Sequence, residues 1–329
     1  MTDPDAAGAA GTTPPGAPTL ALFSHPDCAR HDPVPGHPEQ PARLAAALAA
    51  FDHPALADCP RIDAPLADRE ALLRVHSAAH VERVFEAGRR GALVQLDPDT
   101  AVAPGSLDAA LRAAGAVVAA VDHVMAGTGR RAFCAVRPPG HHATRRLAMG
   151  FCQFNAIAVG AAHALARHGL SRVAVVDFDV HHGNGSQAIF WDEPRVLFAS
   201  SHQWPLYPGS GAAEETGASA NIANAPLPPG AGPAAFRSAW ADRLLPRIDA
   251  FAPELLLVSA GFDGHRDDPL GGLRLLADDY AWLTAELVAL AGRHAVGRLV
   301  ASLEGGYDLA ALTECTRAHA LALLGQAAP

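Results

Sequence analysis

An α/β fold, with a parallel sheet covered by helices on both faces, is predicted by three features of this 329-residue chain. First, short and almost continuously apolar runs recur at Leu20–Phe23, Ala132–Val136, Val173–Phe178, Val196–Ser200, Leu255–Ala260 and Leu299–Leu303. Strands buried on both faces read this way, whereas half-exposed strands alternate. Second, helical stretches lie between the runs, at 104–127, 156–168, 235–251 and 277–294, and strands alternating with helices build parallel βαβ units. Third, no Gly/Ser-rich or charged linker divides the chain, so a single domain over residues 19–329 is expected. Residues 1–18, MTDPDAAGAAGTTPPGAP, are too small and Pro/Gly-rich to offset the entropy of ordering, and a disordered tail is expected there.

Composition narrows the function classes. The formal net charge of −9 disfavours nucleic acid and anionic membrane as direct partners. No basic start precedes an apolar run, and no stretch reaches about 18 apolar residues, so a cytoplasmic location is the expectation. The five cysteines (Cys28, Cys59, Cys134, Cys152 and Cys315) form no C-x-x-C pair and total an odd number, which argues against a disulfide framework and a cysteine metal knuckle.

Polar, Gly-rich segments follow several predicted strands: RPPGHHA, HHGNG, SSHQWPLYPGSG, GFDGHRDDPLGG and EGGYDL. Ligands of open α/β sheets bind beyond the carboxyl ends of the strands, so these loops should meet at one site. In VVDFDVHHGNG, Asp177, Asp179 and His181 alternate, and a continued strand would project them to one face. Buried carboxylates must be neutralised, hydrogen-bonded or bound to a cation, and two beside an imidazole favour a metal over a plain hydrogen-bonded strand end. A hydrolytic metal needs three protein ligands and an open position for water. Asp179 and His181 supply two, and Asp263, just beyond LLLVSAG, stands in the equivalent place on another strand, unless it merely caps a helix.

His141 and His142 follow the stiff turn Arg137-Pro138-Pro139-Gly140 and suit proton transfer beside a metal-bound water. Asp177 and Asn184 remain to accept from one imidazole each and fix its tautomer. Tyr307, after Gly305 and Gly306, either closes a core edge or donates its hydroxyl to a developing oxyanion.

Together these motifs resemble the arginase/deacetylase fold and, within it, the histone deacetylase family, on the side of class II and the bacterial deacetylase-like amidohydrolases. The matching segments, in the family's order, are GHPEQPAR (36–43), RVHSAAHV (74–81), RPPGHHA (137–143), GFCQFN (150–155), VDFDVHHGNG (176–185), SSHQWPLYPGSG (200–211), SAGFDGHRDDPLGG (259–272) and EGGYDL (304–309). The resemblance implies a single eight-stranded parallel sheet flanked by helices and hydrolysis of an N-acetyl amide. It gives Asp179, His181 and Asp263 as zinc ligands, His141 and His142 as the tandem catalytic histidines, Tyr307 as the transition-state tyrosine and Asp177 as partner of His141. Asn184 stands where class I members usually carry aspartate, which leaves His142 without a charged partner. Gly150 and Phe151, with Tyr207, match the acetyl-lysine tunnel, Leu270 lies at its mouth, and Asp99 is a candidate rim group for substrate N–H, against the plainer reading of a solvated loop carboxylate. Structural K+ is implied on backbone carbonyls of Asp177, Asp179 and His181 with Ser200 and Ser201.

The expected partner is an acetylated protein, peptide or small amine, and the family also allows a homo-oligomer. Fe2+ and Co2+ suit two carboxylates and an imidazole as well as Zn2+ does. An acetylpolyamine deacetylase is the nearer rival, weakened because Leu270 is apolar where polyamine-selective members place glutamate. A two-manganese ureohydrolase lacks its second ligand set here, and a silent acyl-binding protein would be expected to have lost Tyr307 or a ligand.

Overall fold

The structure is a computed structural model describing residues 20–326, so the tail expected at 1–18 lies outside the described residues. The first half of the chain forms β1 (Leu20–Ser24), α1 (Ala42–Ala49), β2 (Arg61–Asp63), α2 (Arg69–Leu73), α3 (Ala78–Arg89), β3 (Val94–Asp97), β4 (Thr100–Val102), α4 (Ser106–Met125), β5 (Arg131–Cys134) and α5 (Ala156–Arg167). There follow β6 (Val173–Asp177), α6 (Asn184–Phe190), β7 (Val196–Gln203), β8 (Ile222–Leu227), α7 (Pro233–Ser238), α8 (Leu245–Phe251), β9 (Leu255–Ala260), α9 (Ala277–His294), β10 (Leu299–Leu303) and α10 (Leu309–Leu324).

Eight strands pair in one sheet, in the order β2-β1-β5-β10-β9-β6-β7-β8, and every pairing is parallel. This is the predicted architecture. The central strands are buried along their whole length, which is why β6, β9 and β10 read as unbroken apolar runs. On the flanks α4 packs on α5, and α9 on α10. The four strands β5, β10, β9 and β6 are consecutive neighbours at the sheet's centre, so the loops after them emerge side by side.

Where structure and expectation differ, the reasons are local. The edge strands β2 and β8 carry no apolar run: β2 is three partly exposed residues, and β8 is interrupted by Asn224 and by Pro226, which only an edge or a strand end tolerates. Strand β7 runs on to Gln203 because Ser201, His202 and Gln203 pair with Ala225, Pro226 and Leu227. The continuous helix expected over 235–251 is instead α7, a π-helical stretch Ala239–Leu244, and α8. Pro246 removes an N–H and crowds the preceding turn, and the wider turn accommodates it.

Candidate active site and metal centre

Strand alternation does not bring Asp177, Asp179 and His181 together as expected, because β6 ends at Asp177 and the chain bends immediately after it. Backbone N–H groups leaving the ladder turn to carboxylates. Asp179 N donates to Asp177 Oδ1 (3.1 Å), Val180 N to Asp263 Oδ1 (2.8 Å) and His181 N to Asp179 Oδ1 (2.9 Å). The bend sets His181 Nδ1 3.1 Å from Asp179 Oδ1 and 3.2 Å from Asp263 Oδ2, while Asp177 faces elsewhere. From β10's end, Gly305 N donates to Asp179 Oδ2 (2.8 Å), and a Cβ on Gly305 would fall 2.0 Å from Asp263 Oδ2. Only glycine fits there.

Asp179 and Asp263 are buried, and among the described residues no arginine pairs with either; they share the His181 imidazole, and His141 Nε2 lies 3.8 Å from Asp179 Oδ1. Burial, reinforced by the charge on Asp179, pushes the Asp263 carboxyl up to about 7. Two carboxylates crowded at low dielectric repel one another, and a cation bound between them relieves that repulsion. The three ligand atoms lie within 4.8 Å of one another, so the donor set, with two crowded carboxylates, fits a divalent metal.

The two neighbouring imidazoles have their ring centroids 4.0 Å apart but different partners. His141 Nδ1 lies 2.9 Å from Asp177 Oδ2, and His142 Nδ1 lies 2.7 Å from Asn184 Oδ1, on the first residue of α6. Burial disfavours the charged form of both. At His141 the carboxylates of Asp177 and Asp179 outweigh it and hold the ring well above the usual imidazole range. At His142 burial, the charge on His141 and His181 act together and hold it well below, because the Asn184 amide brings a dipole without a charge.

A cavity of about 240 Å³ reaches these groups, lined by Gly150, Phe151, Tyr207, Leu270 and Asp99 and sharing His141, His142, His181 and Tyr307. The Phe151 ring meets Tyr307 edge to face at 6.0 Å, and the Tyr207 ring meets His142 at 5.2 Å. Gly150 (φ +57°) passes so close to His142 that a Cβ would lie 2.3 Å from its ring. Phe151 is itself left-handed (φ 68°), which is strained for a non-glycine residue. Asp99 Oδ1 and Thr100 Oγ1 accept from Gly150 N and Phe151 N, both at 2.9 Å, and keep this backbone in place. Asp99 is therefore not the freely solvated loop carboxylate that was the plainer expectation. Burial raises the Tyr307 phenol well above its ordinary range despite the nearby Arg43 charge, so the hydroxyl stays protonated and able to donate.

A histone deacetylase domain model matches residues 37–323. The chain belongs to the histone deacetylase family. It is 44% identical over 257 residues to a histone deacetylase-like amidohydrolase of Pseudomonas aeruginosa, covering 77% of this chain and 67% of that one. It is 39% identical over 328 residues to the polyamine deacetylase HDAC10 of Homo sapiens, covering 94% of this chain and 47% of that longer protein. The crystal structure of the HDA15 HD domain superposes with a TM-score of 0.89 at 34% identity, over 94% of this chain and 89% of the other. The protein is thus a hydrolytic deacetylase of the amidohydrolase type, a family that is generally metal-dependent. Among its described residues no helix is long and apolar enough to cross a membrane.

Several residues that hold the deacetylase's site together were not anticipated. Glu304, buried at the end of β10, accepts from Gly140 N (2.6 Å) and His141 N (3.2 Å) through Oε2 and from Ser259 Oγ (3.0 Å) through Oε1. It anchors the backbone of the histidine turn. Burial pushes its carboxyl up to about 7 against the favourable charge of His141. Its signal was present in LVASLEGG: an acid at the end of an apolar strand, the same signal that drew notice to Asp177. Arg43 donates to the carbonyls of Gly306 (2.6 Å) and Glu304, and its guanidinium lies 4.7 Å from the Tyr307 ring centroid. Glu39 joins Arg43 (2.9 Å) to Arg137 (2.6 Å), so one buried ion network ties the Tyr307 loop to the turn preceding His141. Ser200 pairs with Asp177 across β6 and β7, and Ser201 Oγ accepts from Trp240 Nε1 (3.0 Å).

Proposed function

We propose that the protein is a zinc-dependent hydrolase that removes acetyl groups from N-acetyl-lysine side chains of proteins or peptides, through a catalytic domain spanning residues 19–329. What supports this most is the convergence of an aromatic-walled cavity on the cluster Asp179, His181 and Asp263, whose ligand atoms lie within 4.8 Å of one another. In this reading Asp179, His181 through Nδ1, and Asp263 hold the metal. Zinc bound there supplies polarisation of the acetyl carbonyl and a water of lowered pKa.

The chain's own groups do the rest. His142 gives its Nδ1–H to Asn184, so its Nε2 is the free base that takes the proton of water, and the resulting imidazolium returns it to the leaving amine. His141, held charged by Asp177, stabilises the developing negative charge. The neutral Tyr307 hydroxyl donates to the oxyanion. Phe151 and Tyr207 enclose the methylene chain. Carbonyls of Asp177, Asp179 and His181 with Ser200 and Ser201 form the proposed K+ site, a reading supported by the β6–β7 register.

The likeness to a polyamine deacetylase and the net charge of −9 favour one second reading, in which the substrate is a small cationic N-acetyl amine. Zinc-loaded protein assayed on an acetyl-lysine peptide and on N-acetylspermidine decides between them by kcat/KM. Release of acetate from neither would overturn both.

A further inference from the structure

On the outer layer, away from the cavity, a second group of metal-binding side chains converges. Asp122 lies in the last turn of α4, His163 in the last turns of α5, and His168 caps α5. His163 Nε2 and His168 Nε2 each stand 2.7 Å from the same oxygen, Asp122 Oδ1. The two rings meet edge to face with centroids 5.5 Å apart, and the three ligand atoms fall within 4.8 Å of one another. We infer that the C-terminal ends of α4 and α5 form a second divalent-cation site, with Asp122, His163 and His168 as ligands and Zn2+ or Co2+ as the cation that suits them.

Three features carry the inference beyond proximity. Both helices point their carbonyl ends at this place, and the partial negative charge of a helix C-terminus favours a cation. The donor set is two imidazoles and one carboxylate, softer than the set at the strand ends and matched to Zn2+ and Co2+ over Mg2+ or Ca2+. The side chain of Asp122 is 52% exposed while that of His163 is only 10% exposed, so water reaches the remaining coordination positions and one ligand is firmly seated.

The site needs two adjustments. Ligands about 2.0 Å from a tetrahedral zinc lie about 3.3 Å apart, so the exposed Asp122 carboxylate must draw back from both rings by about half an ångström. Arg74 Nη1 lies 3.4 Å from His163 Nδ1, which must carry the proton once Nε2 binds metal, so Arg74 has to turn away. Its other Nη already pairs with Glu70 at 2.8 Å, an exposed partner toward which it can move.

Chelator-stripped full-length protein is dialysed to equilibrium against buffered free Zn2+, and zinc is counted per chain. Two per chain are expected for the wild type and one for the double variant Asp122→Asn/His168→Gln, with deacetylation by that variant unchanged. Equal thermal midpoints of wild type and variant in chelator establish that the variant is folded, and His163→Gln provides an independent one-ligand removal. A wild-type count of one that falls to zero in Asp263→Asn overturns the second site and leaves the proposed catalytic site standing. A count of two that neither Asp122→Asn/His168→Gln nor His163→Gln lowers also overturns it.

Discussion

Asp179, His181 and Asp263 sit at the ends of two central strands, whereas Asp122, His163 and His168 hang from the ends of two outer helices. In the first cluster each carboxylate has an oxygen held by a backbone N–H from another loop: Gly305 N on Asp179, and Val180 N on Asp263. The fold itself orients those side chains. In the second cluster the three side chains hold one another, with Asp122 half-exposed and its two bonds both to the rings it would share with a metal. A charge crowded and pinned in the interior is suited to polarising a substrate; the same chemical groups on a solvated helix end can tie two elements together but cannot exclude water.

The largest effect is therefore expected at the strand ends. Asp263→Asn should abolish tight zinc binding there and bring acetate release to background, while Asp122→Asn leaves kcat unchanged; equal losses in the two variants would erase the distinction. Next comes the support of the histidine turn. Glu304→Ala leaves the N–H groups of Gly140 and His141 without their acceptor, at a cost of about 1–3 kcal/mol each, and should lower kcat more than it raises KM. Glu304→Gln keeps an acceptor oxygen and should recover most of the stability measured by urea unfolding.

A smaller and more specific effect is expected from Asn184→Asp. A carboxylate on His142 Nδ1 favours the imidazolium, so the base form appears only at higher pH, and the ascending limb of kcat/KM against pH should move up by about one to three units. An unmoved limb would show that His142 is not the base.

The effect with least bearing on catalysis lies outside both clusters. Burial pushes His76 and His319 down to about 3, below their range in the unfolded chain. Each therefore contributes its full stability above about pH 6.5 and loses it toward pH 3, as the unfolded chain takes up protons that the fold refuses. The loss is about 1.4 kcal/mol per pH unit per ring. His319→Gln should flatten the decline of the unfolding free energy, read from urea melts between about pH 6.5 and 3, by that increment.

How much of this was legible in the sequence depended on whether a residue's neighbours along the chain were also its neighbours in space. The central strands β6, β9 and β10 and the polar residues at their ends announced themselves, because burial on both faces writes an apolar run and its end is local. Asp177, Asp179 and His181 were noticed for the right reason of chemistry but the wrong one of geometry. A bend stabilised by carboxylate-to-backbone bonds, one of them from a residue 83 positions away, replaced the expected alternation. The role of Arg43 was invisible: its bonds to Gly306 and Glu304 span more than 260 positions. The edge strand β2 was missed because an edge buries too little to write a pattern. Asp177 and Asn184 could be named from chemistry as acceptors for the two imidazoles, while the opposite directions in which burial and charge push the two histidines followed only once burial and distances were known.

The central claim, that the cavity is an amidase site in which Tyr307 donates to the oxyanion beside a zinc held by Asp179, His181 and Asp263, is tested most directly by one comparison. Zinc-loaded wild type and Tyr307→Phe, matched for zinc content, are assayed for acetate release from an acetyl-lysine peptide and from N-acetylspermidine. The account predicts a fall in kcat of about 10²–10³ on the preferred substrate with zinc content unchanged. Equal kcat in the two proteins, or no acetate from either substrate, would contradict it.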